Sequence, residues 1–202
     1  MAGIQKSQLV VYPGERSSIS EDATVDCAWN STTFGNRNTD FYKVMIDNNS
    51  SLWKFFSPQE KMLYEDGMFL LADSKQHQSK EPTDYSYVVF PFAKLYEGFL
   101  KDFLLKLGII SQRDYRSDHF RIGKVLSVNL VRRLGDRSAY GQLENRFGRD
   151  LPDLLWRAWK QGRNLVFHYF PHNYRVLTRD ESEQTIDLLV EAMEEAVKVV
   201  DL

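Results

Sequence analysis

Cysteine is almost missing from this chain: Cys27 is the only one in 202 residues. A lone thiol makes no intrachain disulfide and no cysteine pair for zinc, a usage that suits a reducing compartment, and Cys27 itself reads as an ordinary small residue. Long apolar runs are missing too. No segment approaches the ~18 consecutive apolar residues that suggest a membrane span, and the amino terminus has no basic stretch followed by an apolar run. These absences lead to the expectation of a soluble, cytoplasmic protein without membrane contact. Charge of one sign is also lacking, since 26 Lys and Arg against 28 Asp and Glu leave a formal net charge of −2. Any nucleic-acid contact must therefore come from local clustering of cations rather than from a global field. The sequence contains no phosphate-cradling glycine loop, no nucleophile elbow and no dinucleotide fingerprint.

What is present supports one sizeable folded domain, because 43% of the residues are apolar and a chain of this length can bury a real core. Residues 1–52 differ from the rest. Ser, Thr, Asn, Asp and Gly dominate from Pro13 to Asn38, so a loop-rich segment is expected there, with short strands at Val10–Tyr12 and Thr24–Trp29. From residue 53 to 202 the pattern is helical. Ser57-Pro58-Gln59-Glu60 offers an N-cap, a proline at the first helical position and a capping-box glutamate, which predicts a helix to about Ala72. Phe92, Leu95, Tyr96, Phe99, Leu100, Phe103, Leu104 and Leu107 recur at spacings of three and four ahead of Gly108, the pattern of a core helix with a glycine stop. An apolar stretch from Phe120 to Leu134 is closed by Gly135, and a short helix is expected over Tyr140–Phe147.

Two further helices complete the reading. Asp150-Leu151-Pro152-Asp153 starts one that runs through Trp156 and Trp159 toward His168 and stops at Pro171. Thr178-Arg179-Asp180-Glu181 is a second capping box, opening a long amphipathic helix through Ile186, Leu189, Val190, Met193, Ala196 and Val197. The expected fold is thus mainly α, a bundle of four or more helices behind a loop-rich or small β amino-terminal segment.

Charge is segregated along the chain. Arg116, Arg121, Lys124, Arg132 and Arg133 lie in a net basic stretch between Arg113 and Arg149, whereas the last helix is acidic. The basic stretch can dock a phosphate backbone, or the two segments are simply solvated faces of opposite sign.

The strongest chemical signal is Arg163-Asn164-Leu165-Val166-Phe167-His168. Cleaving RNA without a metal requires a base for the ribose 2′-hydroxyl, an acid for the departing 5′-oxygen and a cation for the phosphorane. His168 can act as base or acid, Arg163 can clamp the phosphate, and Asn164 can orient either partner. The competing reading makes His168 a helix-terminal residue bonded to a carbonyl and Arg163 a surface ion-pair partner. Geometry adds a condition, since five residues at about 100° each put Arg163 and His168 roughly 140° apart on a regular helix. Either the arginine curls round, or the helix distorts between Gly162 and Pro171, or a second copy of the chain completes the site. A second, looser arrangement, Arg113 to His119, falls between helices and ranks below the first. His168 and His172 have a metal-ligand spacing, but Pro171 interrupts the register and no third ligand matches, so no metal and no cofactor are expected. Trp156, Trp159, Phe167, Tyr169 and Phe170 crowd the motif, as base-stacking surfaces or, for most of them, as core.

The motif and its setting resemble the HEPN superfamily, helical domains of many prokaryotic toxins and defence ribonucleases. Its pattern is Arg, then Asn, Asp or His, three residues, and His, near a helix end and followed by a last amphipathic helix. Residues 163–168 fit every specified position, and Phe90 to Leu100 is similar to the toxin group that includes RNase LS. The resemblance covers roughly residues 57–202. It implies catalytic Arg163, Asn164 and His168 in a homodimeric, metal-independent endoribonuclease of a toxin-antitoxin or antiphage system, with RNA as substrate, a cyclic phosphate as product and an antitoxin as a partner. The competing expectation is a non-catalytic helical module, antitoxin-like or RNA-binding, and a third is a helical partner of a nucleotidyltransferase.

Overall fold

A computed structural model describes residues 45–76, 81–168 and 175–200, all within the unit Asp40–Leu202. The strands expected at Val10–Tyr12 and Thr24–Trp29, together with Cys27, Tyr169, Phe170, Pro171 and His172, lie outside the described residues. Among those described there are nine α-helices and no strand: α1 Ser51–Phe55, α2 Pro58–Asp73, α3 Ser86–Lys106, α4 Gln112–Tyr115, α5 Ile122–Val125, α6 Val131–Leu134, α7 Ala139–Phe147, α8 Asp150–Trp159 and α9 Arg179–Val199. Helix α1 straddles the expected boundary at 52/53. No helix is long and apolar enough to cross a membrane among the described residues.

Local signals place the starts of the long helices. Ser57 caps α2 by accepting from the Glu60 N–H while the Glu60 carboxylate accepts from the Ser57 N–H at 2.7 Å. Thr178 and Glu181 do the same for α9, each box satisfying otherwise orphaned helical donors. Gly108, just past α3, takes the left-handed φ of 67° that favours glycine after a helix.

Helix α3 is the centre of the core. Phe92, Leu95, Tyr96, Phe99, Leu100, Phe103 and Leu104 are buried completely, and α2, α9 and the residues following α8 pack around them. The helix begins six residues ahead of the expected Phe92, with Pro91 inside it. Val88 and Val89 are also fully buried, so their packing draws the chain into helix upstream of a proline that removes a single backbone donor. Asp84 supports this start by accepting from the Ser86 N–H at 2.9 Å and from the Leu177 N–H at 3.0 Å. Helices α8 and α9 lie together, and the Tyr96 hydroxyl donates to the Leu155 carbonyl at 2.9 Å, tying α3 to α8.

The stretch from Phe120 to Leu134 is not continuous. It folds as α5, a 3-10 turn at Val128–Leu130 and α6, followed by a second 3-10 turn at Gly135–Arg137. Buried Ile122 and Leu126 anchor this segment in the core.

Candidate functional site

The helix expected to carry the motif from Asp150 to Pro171 stops being an α-helix at Trp159. Lys160–Asn164 form a π turn in which the Leu165 N–H donates to the Lys160 carbonyl at 2.9 Å, five residues back. Beyond Asn164 the helix is lost, and His168 lies in irregular chain. The 140° separation belongs to a regular helix and does not apply here. The helix is thus distorted within the motif, and π turns concentrate at functional sites.

Gly162 explains how the wide turn fits. It is buried in the π turn against α9, and a Cβ built there would lie 2.6 Å from Leu189 Cδ2 and 2.8 Å from Cγ. Any larger residue would push the turn off the last helix. The glycine thereby sets the depth at which Arg163, the next residue, leaves the backbone.

Arg163 is held by two groups that the motif does not name. Its Nε donates to Glu97 Oε2 at 3.2 Å, the two side chains being 37% and 34% exposed. Its guanidinium lies over the Phe167 ring, 5.7 Å from the centroid, within the range of a cation–π contact. Phe167 in turn meets Phe90 edge-on, with centroids 5.7 Å apart and planes at 88°. Phe90 is 55% exposed, so α3 contributes both an acid and an accessible aromatic to the motif. The chain folds back over the arginine at Phe167, and exposed His168 follows directly. Asn164 is exposed on the π turn.

Glu97 was not among the expected site residues, yet a signal for it exists. Tyr87, Phe90, Lys94, Glu97 and Lys101 follow one another at spacings of three and four on α3, and none is buried. They form one stripe of the core helix that faces away from the core. A charged residue on that stripe stands outside the core helix's own packing and is available to a partner such as Arg163.

The five basic residues expected to hold RNA are spread over several elements: Arg116 follows α4, Arg121 precedes α5, Lys124 is on α5, and Arg132 and Arg133 are on α6. Arg121 folds back on its own loop, its Nη1 donating to the Asp118 carbonyl at 2.6 Å and the Phe120 carbonyl at 3.2 Å. Arg116, Lys124, Arg132 and Arg133 are exposed. Lys124 sits on α5, whose Gly123 packs against Trp159 so tightly that a Cβ would come within 2.5 Å of its Nε1. Arg132 lies instead near Tyr140 and Arg149, at the opposite end of α8 from the motif. In the looser arrangement, Arg113 is on α4 and His119 is exposed in the loop after it. No cluster of three or more His, Cys, Asp or Glu is placed to hold a metal ion among the described residues.

The site that results is a solvent-accessible guanidinium between a carboxylate and an aromatic ledge, with an exposed imidazole at the residue after Phe167. Such an arrangement can exchange a carboxylate for a phosphate, because a half-exposed ion pair contributes only about 0–1 kcal/mol. Comparison of the chain with models of known families, with curated proteins and with solved structures returns no match.

Proposed function

We propose that this chain is a metal-independent endoribonuclease of the HEPN type, the toxin of a toxin-antitoxin or antiphage system, acting as a homodimer. The observation that carries the reading is the break in α8 at the motif itself, where a π turn presents Arg163 beside the Phe90–Phe167 ledge immediately before His168. The phosphate of an RNA strand displaces Glu97 from Arg163, a planar cation suited to holding phosphate oxygens by two parallel bonds. A neighbouring base stacks on the exposed face of Phe90, as unpaired bases do on aromatic side chains.

In the reaction, His168 removes the proton from the ribose 2′-hydroxyl, and the 2′-oxygen attacks the adjacent phosphorus. Arg163 stabilises the extra negative charge of the phosphorane. The bond from phosphorus to the 5′-oxygen breaks, that oxygen takes a proton from the second subunit's imidazole, and the products are a 2′,3′-cyclic phosphate and a 5′-hydroxyl. Asn164 orients the phosphate or the imidazole. An antitoxin protein covering the same ledge would hold the enzyme inactive.

The test is incubation of the purified chain with RNA in excess chelator, with Arg163→Ala and His168→Ala alongside. Cleavage leaving cyclic phosphate ends, lost in both variants, is the expected result. Equal cleavage by variants and parent removes this site from the reaction. The exposed arginines of α6 favour a second reading, an RNA-binding adaptor, which is distinguished by binding that weakens with salt and is unaccompanied by cleavage.

A further inference from the structure

A cavity of about 320 Å³ opens on the surface where the turn before α6, α6 itself and α7 meet the start of α8. Its size falls at the lower end of the range of small-molecule sites, about 300–1,000 Å³. Three kinds of lining converge in it. Arg132 and Arg149 bring guanidinium groups from two different elements, Val128 and Val131 supply apolar wall, and Asn129 and Glu144 add an amide and a carboxylate.

Arg149 is braced rather than loose. Its Nε donates to Asp153 Oδ2 at 3.2 Å, and the other oxygen of the same carboxylate accepts the Tyr140 hydroxyl at 2.5 Å. Tyr140 is almost completely buried, so a fixed phenol orients the acid and the acid orients the guanidinium. Arg149 nevertheless remains 67% exposed. Preorganisation of this kind, a ligand-facing cation positioned by a second set of hydrogen bonds, lowers the ordering cost of binding.

The mixture of groups narrows the ligand. Two arginines match the oxygens of a phosphate. An inorganic anion has no use for an apolar wall, and an uncharged aromatic has no use for two guanidinium groups. An amide that both donates and accepts suits the edge of a base, and a carboxylate can accept from ribose hydroxyls.

We propose that this cavity is a binding site for a phosphorylated nucleoside, with Arg132 and Arg149 on the phosphate and Val128, Val131 and Asn129 on the nucleoside. Arg149 precedes Arg163 by fourteen residues of largely helical chain, roughly 20 Å at about 1.5 Å per residue. The cavity is therefore separate from the proposed cleavage site and does not depend on it. The nucleotide comes either free from solution or as one unit of a single strand.

Titration of the full-length protein with AMP, adenosine, inorganic phosphate and a tetranucleotide of RNA, followed by calorimetry, tests the assignment. AMP is expected to bind saturably at one site per chain, at least tenfold tighter than adenosine or phosphate alone. Arg149→Ala and Arg132→Ala should each weaken it tenfold or more with the melting temperature unchanged, while Arg163→Ala leaves it intact. A tetranucleotide that displaces AMP and binds more tightly identifies a strand as the source, and one that fails to displace it identifies the free nucleotide. The proposal is overturned if neither AMP nor the tetranucleotide saturates at millimolar concentration, if phosphate alone binds as well as AMP, or if the two arginine variants bind as the parent does.

Discussion

Replacing Gly162 with alanine tests the packing on which the π turn depends. On an ordinary helix this change stabilises, because alanine is better than glycine by up to about 1 kcal/mol. Here the new Cβ would lie 2.6, 2.8 and 3.0 Å from Leu189 Cδ2, Cγ and Cδ1, against the ~3.5–4.0 Å of a favourable carbon contact. Leu189 is fully buried, and the clash reaches its branch point as well as its tips, so the side chain cannot swing aside. Overpacking costs about 1–3 kcal/mol. The clash therefore outweighs the helix preference, leaving a net loss of about 1–2 kcal/mol and a melting temperature lower by about 2–4 °C per kcal/mol in a domain of this size. Urea denaturation reads it, and Leu189→Ala provides the control. Leu189→Ala alone should cost about 2–5 kcal/mol by leaving a cavity. The double variant should be more stable than the sum of the two losses by about 0.5–3 kcal/mol, since the added methyl occupies part of that cavity. A Gly162→Ala protein as stable as the parent, or strictly additive losses, would falsify the argument.

Other outcomes follow from single contacts. Glu97→Gln should change stability by less than about 1 kcal/mol, as befits a half-exposed ion pair, while RNA affinity rises because phosphate no longer competes with a carboxylate for Arg163; a lower affinity in filter binding would contradict the proposed exchange. Tyr96→Phe removes the buried bond to the Leu155 carbonyl and should cost about 0.5–1.5 kcal/mol in urea, a cost absent if that bond does not join α3 to α8. Glu60 is buried, and loss of hydration pushes its carboxyl above the ordinary 4.5. Its contribution to stability is thus fully present below about 4.5 and is lost as pH rises through the raised value. Glu60→Gln keeps an oxygen for the capping box and removes the titration, so its stability relative to the parent should increase between pH 4 and pH 7. A relative stability that falls over that interval would reverse the sign of the assigned shift.

Much of the helical frame was legible because its signals are local. A serine or threonine three residues ahead of a glutamate announces its own hydrogen bonds, and both capping boxes stand where the spacing puts them. The apolar spacing of α3 and α9 likewise names the residues that are buried. The start of α3 was not legible, because Phe90-Pro91 reads as a boundary until Val88 and Val89 are known to have a core to enter. The segment from Phe120 to Leu134 was legible only as an apolar stretch, for a related reason. Apolar content alone does not separate one helix from two short ones joined by a 3-10 turn.

The candidate site divides along the same line, and the division bears on how it works. The motif names Arg163, Asn164 and His168, all within six residues, but what positions the arginine comes from far away in sequence. Glu97 lies 66 residues before it, and Leu189, which fixes the depth of the π turn, lies 27 residues after Gly162. Leu189 is also part of the core, but the other two positions are not set by helix stability: Glu97 occupies the outward stripe of α3, and Gly162 would be replaceable on any α-helix without a neighbour so close. Their cost is therefore local and their effect is on the direction in which the guanidinium points. A surface arginine needed only for solubility would not require a buried glycine behind it and an acid and an aromatic on either side. The arrangement makes sense when the arginine must wait, oriented and half neutralised, for a stronger anion to replace Glu97. On that account the strength of the Glu97 contact sets the threshold for substrate, so shortening the acid by Glu97→Asp, which moves the carboxylate away from Arg163, should tighten RNA binding less than Glu97→Gln does. A reversed order of the two affinities would show that Glu97 acts through something other than its charge on Arg163.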